Sequence, residues 1–260
     1  IVGQWQLEAE VGTTANDNRD VEICPVLNAI VERIQGASPY KSPTEMGVNR
    51  AGYCSIDDDA CREASFQEII RRYYHTKCGV LNGVFEETAL RKIELLMNQS
   101  GISTQMRPVV AAAKAVEERT QGPAAALELP DGRIVTGKNS RLLGASSALL
   151  LNALKALGGI DDQLDLLSPC IIEPIQDLKI HRLGNHNPRL HTDEILVARS
   201  ICAVSSPVAE LAMKQLEKLR GCEAHSTVIL SSVDDATFRK LGVNLTCEAK
   251  YQTKKLYHKK

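Results

Sequence analysis

The sequence predicts an α+β fold of α/β-like character, with a mostly helical N-terminal region followed by a C-terminal α+β domain built on a small mixed sheet. Three observations predict it. Up to about residue 120 the apolar residues recur at helical spacing. At ALELPDGRIVTG two short apolar stretches flank Pro130-Asp131-Gly132, a hairpin signal. Near the C-terminus HSTVILS, DDATFRKLG and VNLTCEA read as strand, helix and strand. A boundary near residue 121 therefore divides a helical region, 1–120, from an α+β domain, 121–260.

The elements follow in order. Pro25 opens a helix whose face is Val26, Leu27, Ile30, Val31 and Ile34, and Gly36 stops it. The polar stretch KSPTEMGVNRAG, residues 41–52, reads as a loop. IDDDACREASFQEIIRRYYHT is a long helix with acids in its first turn and Arg71 and Arg72 near its end, complementing the helix dipole. Two further helices fit 84–98 and 107–119, the second entered through Pro108. After the hairpin, a small-residue helix spans about 142–157 and ends at Gly158-Gly159. Ser168-Pro169 opens another that Pro174 should bend. Thr192 caps a helix reaching Ala203, and Ser206-Pro207 opens one reaching Leu219.

Composition narrows the class. With 260 residues, 43% hydrophobic and 24% charged, the chain is long enough for one or two cored domains of ordinary globular type. No apolar run approaches the roughly 18–20 residues that cross a bilayer, so no membrane partner is expected. The opening IVGQWQLEAEVG has no signal-peptide character, and the missing initiator Met suggests a processed chain or a fragment. A net charge of −1 argues against general nucleic-acid binding. The basic tail Lys250, Lys254, Lys255, His258, Lys259 and Lys260 reads as a solvated end before a phosphate-binding arm. Eight cysteines show no CxxC spacing, and Cys202 in ARSICAV sits in apolar surroundings, so reduced cytoplasmic thiols are expected.

Several stretches carry chemistry. Gly132–Lys138 has the spacing of a phosphate loop, but its middle is Ile-Val-Thr, stiff residues that favour a strand, and Asn139 lacks the hydroxyl a magnesium ion needs. Lys138-Asn139-Ser140 with Gly144-Ala145-Ser146-Ser147 places small and hydroxyl residues at a helix start. That pattern permits close packing on a sheet, or an anion site on free amides. His181, His186 and His191 are spaced by five, each step turning about 140° on a helix, so they do not share one face. With HExxH also absent, no metal site is expected. His191 with Asp193 makes a candidate acid–base or metal pair, against a helix-capping role for the same segment. Asp57, Asp58 and Asp59 suit a helix dipole better than a cation. In the 41–52 loop Lys41, Ser42, Thr44 and Asn49 are candidate ligand contacts.

YKSPTEMGVNRAG, QEIIRRYY, RPVVAAA, LPDGRIVTGKNSRLLGASSALLLNALKAL, NPRLHTDE and LRGCEAHSTVILSSVD occur in that order. Together they resemble uncharacterised protein family 0371, also catalogued as domain of unknown function 1846, over about residues 17–260. The chain departs from the family pattern at Cys24, Glu45 and His186. Members of that family are about twice this length, and the resemblance implies that this chain is the C-terminal half. The front half resembles a nucleotide-binding-like α/β domain on which the helical region would pack. On that layout a small phosphorylated or nucleotide-like ligand lies in the cleft with the front half. Lys41, Ser42, Thr44, Asn49, Lys138 and Ser140 contact it, and His191 and Asp193 supply the chemistry.

A cytosolic enzyme is one reading; a non-catalytic binding or oligomerisation module is the other, with a homo-oligomer as its product. The cofactor and the reaction stay open. The helical region has no sheet to pack on, so it is expected to be the labile part. Limited proteolysis should cut before residue 121 and leave a resistant C-terminal piece; uniform resistance of a monomer would contradict this.

Overall fold

The computed structural model of the protein describes residues 30, 33–36 and 58–252. They belong to two compact units, the first ending at Arg107 and the second starting at Pro108.

In the first unit residues 30 and 33–35 are helical, and Gly36 ends them at φ 78°, a left-handed conformation glycine adopts without strain. Helix α1 (Asp58–Leu81) runs past the end expected from the sequence near Thr76. Its internal Gly79 lets the Phe85 ring pack on the last turn, where a Cβ would lie 2.1 Å from the ring. Helix α2 (Glu87–Gln99) packs along α1, burying Ile93, Leu96 and Met97, while α1 buries Ile69, Ile70 and Tyr74. Arg107 is wholly buried, with Nη1 donating to Gln67 Oε1 at 3.4 Å, and Gln67 Nε2 donates to Met106 O at 2.8 Å.

The second unit begins with α3 (Pro108–Thr120), which the sequence reading grouped with the preceding helices. It packs against β1 (Ala124–Glu128), its Val109 and Ala113 meeting Ala126 on one sheet face. β1 pairs antiparallel with β2 (Ile134–Lys138) through the expected hairpin, Gly132 turning at φ 80°. Alanine is a poor strand former in isolation. Here it lets helices approach both faces of a central strand, because Ala125 and Leu127 join the opposite core beneath α4 (Ala145–Gly158). The four-stranded mixed sheet runs β2-β1-β3-β4, with β3 (Glu223–Ser226) antiparallel to β1 and parallel to β4 (Asn244–Cys247).

Around this sheet the remaining helices are α5 (Pro169–Asp177), α6 (Thr192–Ala203), α7 (Pro207–Met213) and α8 (Ser232–Lys240). Pro174 does not end α5, which continues into a π-turn at Leu178–Arg182. The helix expected to reach Leu219 stops at Met213, and Leu216–Leu219 forms a separate 3₁₀ turn. The core is aliphatic: Leu149, Leu150 and Leu154 of α4 meet Ile195 of α6 and Phe238 of α8, all fully buried. Cys222 lies in this core and Cys202 packs on it, as small hydrophobes do.

β3 starts two residues earlier than HSTVILS suggests and leaves the sheet after Ser226. Ser226 Oγ donates to Val228 O at 2.8 Å and turns the chain, while Thr227 still exchanges bonds with Ala124. The β-branched run Thr-Val-Ile is therefore spent on an irregular crossing toward α8. At the same end, beside Ser226, Lys114 Nζ (2.6 Å) and His225 Nε2 (3.8 Å) face Glu248. The buried His225 ring foremost, and Lys114 after it, hold the Glu248 carboxyl down to about 2 against the opposing effect of burial.

Gly137 of β2 faces the α4 backbone. A Cβ there would come 2.3 Å from Leu149 N and 2.4 Å from Ala145 O, atoms that cannot swing aside. Asn152 Nδ2, donating to Thr136 O at 2.8 Å, holds the two elements at that separation. Gly137→Ala is expected to destabilise the protein by about 1–3 kcal/mol, as overpacking does. Chemical denaturation would measure it, and an unchanged midpoint would mean that α4 can lift off β2.

Candidate functional site

Beyond the end of the sheet where β2 and β3 leave it, three segments converge on one pocket: 139–146, 187–191 and 228–234. Their meeting has local causes. Asn139 Oδ1 accepts the Ala145 N–H at 2.7 Å and so seats the start of α4. Leu190 N–H donates to Leu142 O at 3.1 Å, Leu143 and Leu190 form a parallel bridge, and Ser147 Oγ donates to Leu190 O at 2.7 Å. Arg189 Nε adds a bond to Ser140 O at 2.6 Å. The pocket encloses about 170 Å³, below the roughly 300–1,000 Å³ of drug-sized sites, so it suits a small molecule or one end of a larger one.

His191 stands at the N-cap of α6 and is partly exposed to this pocket. Its Nδ1 lies 3.1 Å from Asp234 Oδ2. Asp234, only 6% exposed, spends both oxygens: Oδ1 accepts from the Thr192 N–H and hydroxyl, each at 2.9 Å, and Oδ2 from Ser231 Oγ at 2.8 Å. Ser231 Oγ in turn accepts the Asp234 N–H at 3.1 Å, capping α8. An ionised carboxylate only accepts, so the imidazole proton sits on Nδ1, leaving Nε2 to take or give a proton.

The main chain of His191 is held as firmly as its ring. Its N–H donates to Glu194 Oε2 at 2.7 Å. The same oxygen receives Lys179 Nζ at 2.7 Å, and Lys179 also donates to Arg189 O at 2.8 Å. Lys179 is 3% exposed and comes from the π-turn after α5. One buried ammonium thus ties down Arg189 and His191, two of the residues that reach the pocket from this segment.

The electrostatics follow from these contacts. The hydrogen bond to Asp234 raises His191 above its ordinary 6.5, against burial, which pulls the other way. Burial alone would raise the Asp234 carboxyl, but the His191 ring, the Thr192 amide and Ser231 together hold it below 3.8. Both shifts favour the charged forms, an imidazolium beside a carboxylate whose oxygens are already bonded.

The residues singled out from the sequence separate here. His191 lines the pocket. Asp193 does not: it is exposed and its Oδ1 accepts the Glu194 N–H at 2.8 Å within its own helix. The carboxylate that meets His191 is Asp234, 43 positions away in the chain. Thr192, expected as the cap, is the first helical residue and is turned to Asp234 instead. Lys138 is exposed at the end of β2, and Ser140 Oγ accepts the Leu142 and Leu143 amides at 3.2 and 3.0 Å, a turn-forming role. Their neighbour Asn139 is the one that lines the pocket. His181 and His186 are exposed, and the described residues contain no metal-competent group of three or more His, Cys, Asp or Glu. Lys41, Ser42, Thr44 and Asn49 lie outside the described residues. Asp234, Ser231 and Arg189 were missed. Ser231-Ser232-Val233-Asp234 carries a sequence signal only as a helix start, and Arg189 carries none.

The pair should set a pH dependence. His191, raised above 6.5 in the fold, contributes stability that is complete below pH 6.5 and lost as pH rises through its folded value. Asp234, held below 3.8, contributes stability present above pH 3.8 and lost as pH falls through its folded value. His191→Gln is expected to cost about 1–3 kcal/mol between those limits and less in alkaline solution. Urea melts across pH would show it, and a pH-independent difference would mean that the pair does not ionise as described.

Comparison with known proteins assigns the chain. The family described as Domain of unknown function DUF1846, N-terminal, matches residues 1–101, and the one described as Domain of unknown function DUF1846, C-terminal, matches residues 105–257. A UPF0371 protein of Streptococcus thermophilus is 53% identical over 259 residues, and one of Corynebacterium urealyticum is 51% identical over 260. Another, of Corynebacterium diphtheriae, is also 51% identical over 260 residues. Each match takes in 100% of this chain, its first sixteen residues included, and 52% of the relative, so the chain spans about half the length of these relatives. Among the described residues no helix is long and apolar enough to cross a membrane. With matches along its whole length to proteins of one bacterial kind, the chain belongs to the DUF1846 family of UPF0371 proteins, whose biochemical function has not been assigned.

Proposed function

We propose that the chain is part of a cytoplasmic enzyme acting on a small phosphorylated or nucleotide-like molecule, with His191 as the acid–base group. The observation that carries this is the His191–Asp234 pair at the pocket: the carboxylate fixes Nδ1, and Nε2 remains for a substrate. Ser231 and Thr192 hold the carboxylate, so they are positioning residues. Arg189, and the imidazole when it is protonated, supply positive charge, which favours a phosphate-bearing ligand over a neutral one. The front half of a full-length relative, nucleotide-binding-like by resemblance, would contribute the rest of the substrate contacts.

One observation favours a second reading. Val197, Ile201 and Val204 are 61%, 68% and 89% exposed along α6 and its C-cap, an apolar stripe suited to a non-catalytic assembly module.

A thermal-shift screen of phosphorylated and nucleotide-like metabolites separates the two. A ligand at about a hundred times its Kd adds about 2.7 kcal/mol and raises Tm clearly. For a compound that is turned over, His191→Gln is expected to lower kcat by at least about 100-fold. No response to any such compound, together with a dimer that Ile201→Glu dissociates, would favour the assembly module.

A further inference from the structure

We propose that the N-terminus of α4, with the Ser146 hydroxyl, is the subsite for a phosphomonoester group; this deepens the proposed function and rests on it. The first bond into α4 from its cap runs from the Ala148 N–H to Gly144 O. The amides of residues 145–147 precede it, as the orphan donors of any helix start do. Asn139 takes that of Ala145, while those of Ser146 and Ser147 meet no acceptor among the described residues.

A helix start alone is not a site, and three further observations point to a ligand. Ser146 is 3% exposed and lines the pocket, yet its hydroxyl has no partner among the described residues, whereas that of Ser147 is bonded to Leu190 O. Position 144 is kept open. Gly144 has φ −69°, which any residue adopts, and a Cβ there would meet only Ser146 Oγ at 3.8 Å and Leu190 O at 3.9 Å. Among the described residues neither backbone conformation nor packing therefore requires glycine there, and the space in front of the helix end is open. The charge around that space is positive. Among the described residues Asp234 is the only carboxylate lining it, and its oxygens are committed to Thr192, Ser231 and His191. Arg189 uses Nε on Ser140 O, and its two terminal nitrogens have no partner among the described residues.

Two amides, a hydroxyl, a guanidinium and an imidazolium outnumber what a planar carboxylate with two oxygens can accept. They suit the three terminal oxygens of a phosphomonoester, with the helix dipole favouring the dianion. Nε2 of His191, a donor in the imidazolium, is then the group on hand to protonate the ester oxygen as it leaves.

The test is an amide NMR titration of the whole chain with inorganic phosphate, with acetate at matched ionic strength as control. The Ser146 and Ser147 amides are expected to shift saturably with phosphate and not with acetate. Gly144→Val, which fills the open space without backbone strain, and Ser146→Ala should each raise the phosphate Kd about tenfold or more. If the His191 and Arg189 signals respond while the Ser146 and Ser147 amides do not, or if Gly144→Val binds as wild type does, the subsite is wrong and the pocket reading stands. No response anywhere in the pocket at millimolar phosphate overturns both.

Discussion

Helix α4 rests on the sheet with backbone against backbone at Gly137, and most of the C-terminal unit depends on that approach. Where a side chain would separate the layers, Leu149 N and Ala145 O come within van der Waals range of a bare Cα. The contact brings Leu149, Leu150 and Leu154 down among Ala125 and Leu127, so the small residues of β1 and the large ones of α4 fill one layer. It also sets the height of the helix's first turn. Ser147 in that turn holds Leu190, and Leu190 precedes His191. A steric choice in a strand thus reaches the candidate site through one hydrogen bond and one peptide bond.

Asp234 is the second constraint, and its character is electrostatic. A carboxylate this buried is tolerable only when its oxygens are fully bonded. The structure supplies donors from α6, from the turn before α8 and from the imidazole. Removing a single donor leaves buried charge uncompensated, so the cluster behaves as one unit and each member restrains the others. Lys179 does the same on the far side of His191, where Glu194 joins an ammonium to a main-chain amide. The histidine is thereby held by ring and by backbone, which is the pre-organisation acid–base chemistry benefits from.

Position in the sheet gives these contacts a functional sense. β3 and β4 are parallel and joined through α8, and the pocket lies past the carboxyl end of β3, where ligands gather in open α/β sheets. The irregular crossing from Ser226 to Ser231 is the piece that carries the chain from the sheet to the rim. Its β-branched residues line a wall there instead of extending a strand. Burial and charge then cooperate: the apolar wall strengthens each polar contact, and the positive face of the pair meets the amides of α4 across the opening.

The sequence by itself determined the class and most of the elements. Helical spacing, the Pro130-Asp131-Gly132 turn and the terminal strand–helix–strand pattern act over a few residues, so they are legible in order. His191 was legible too, as a titratable residue at a helix start. Its partner was not. Proximity in the chain pointed to Asp193, but helix geometry turns that carboxylate to its own backbone, while Asp234 arrives from another element altogether. The end of β3 was misplaced for a related reason: Thr-Val-Ile favours a strand locally, and the Ser226 hydroxyl and the Ala124 contacts override it. The segment from Gly144 to Ser147 allowed either close packing or an anion site; tertiary structure gives the packing to Gly137 and leaves Ser146 facing the pocket. Local propensity is encoded in neighbours and can be read from them. Which polar groups meet depends on how whole elements stack, and only the folded chain decides that.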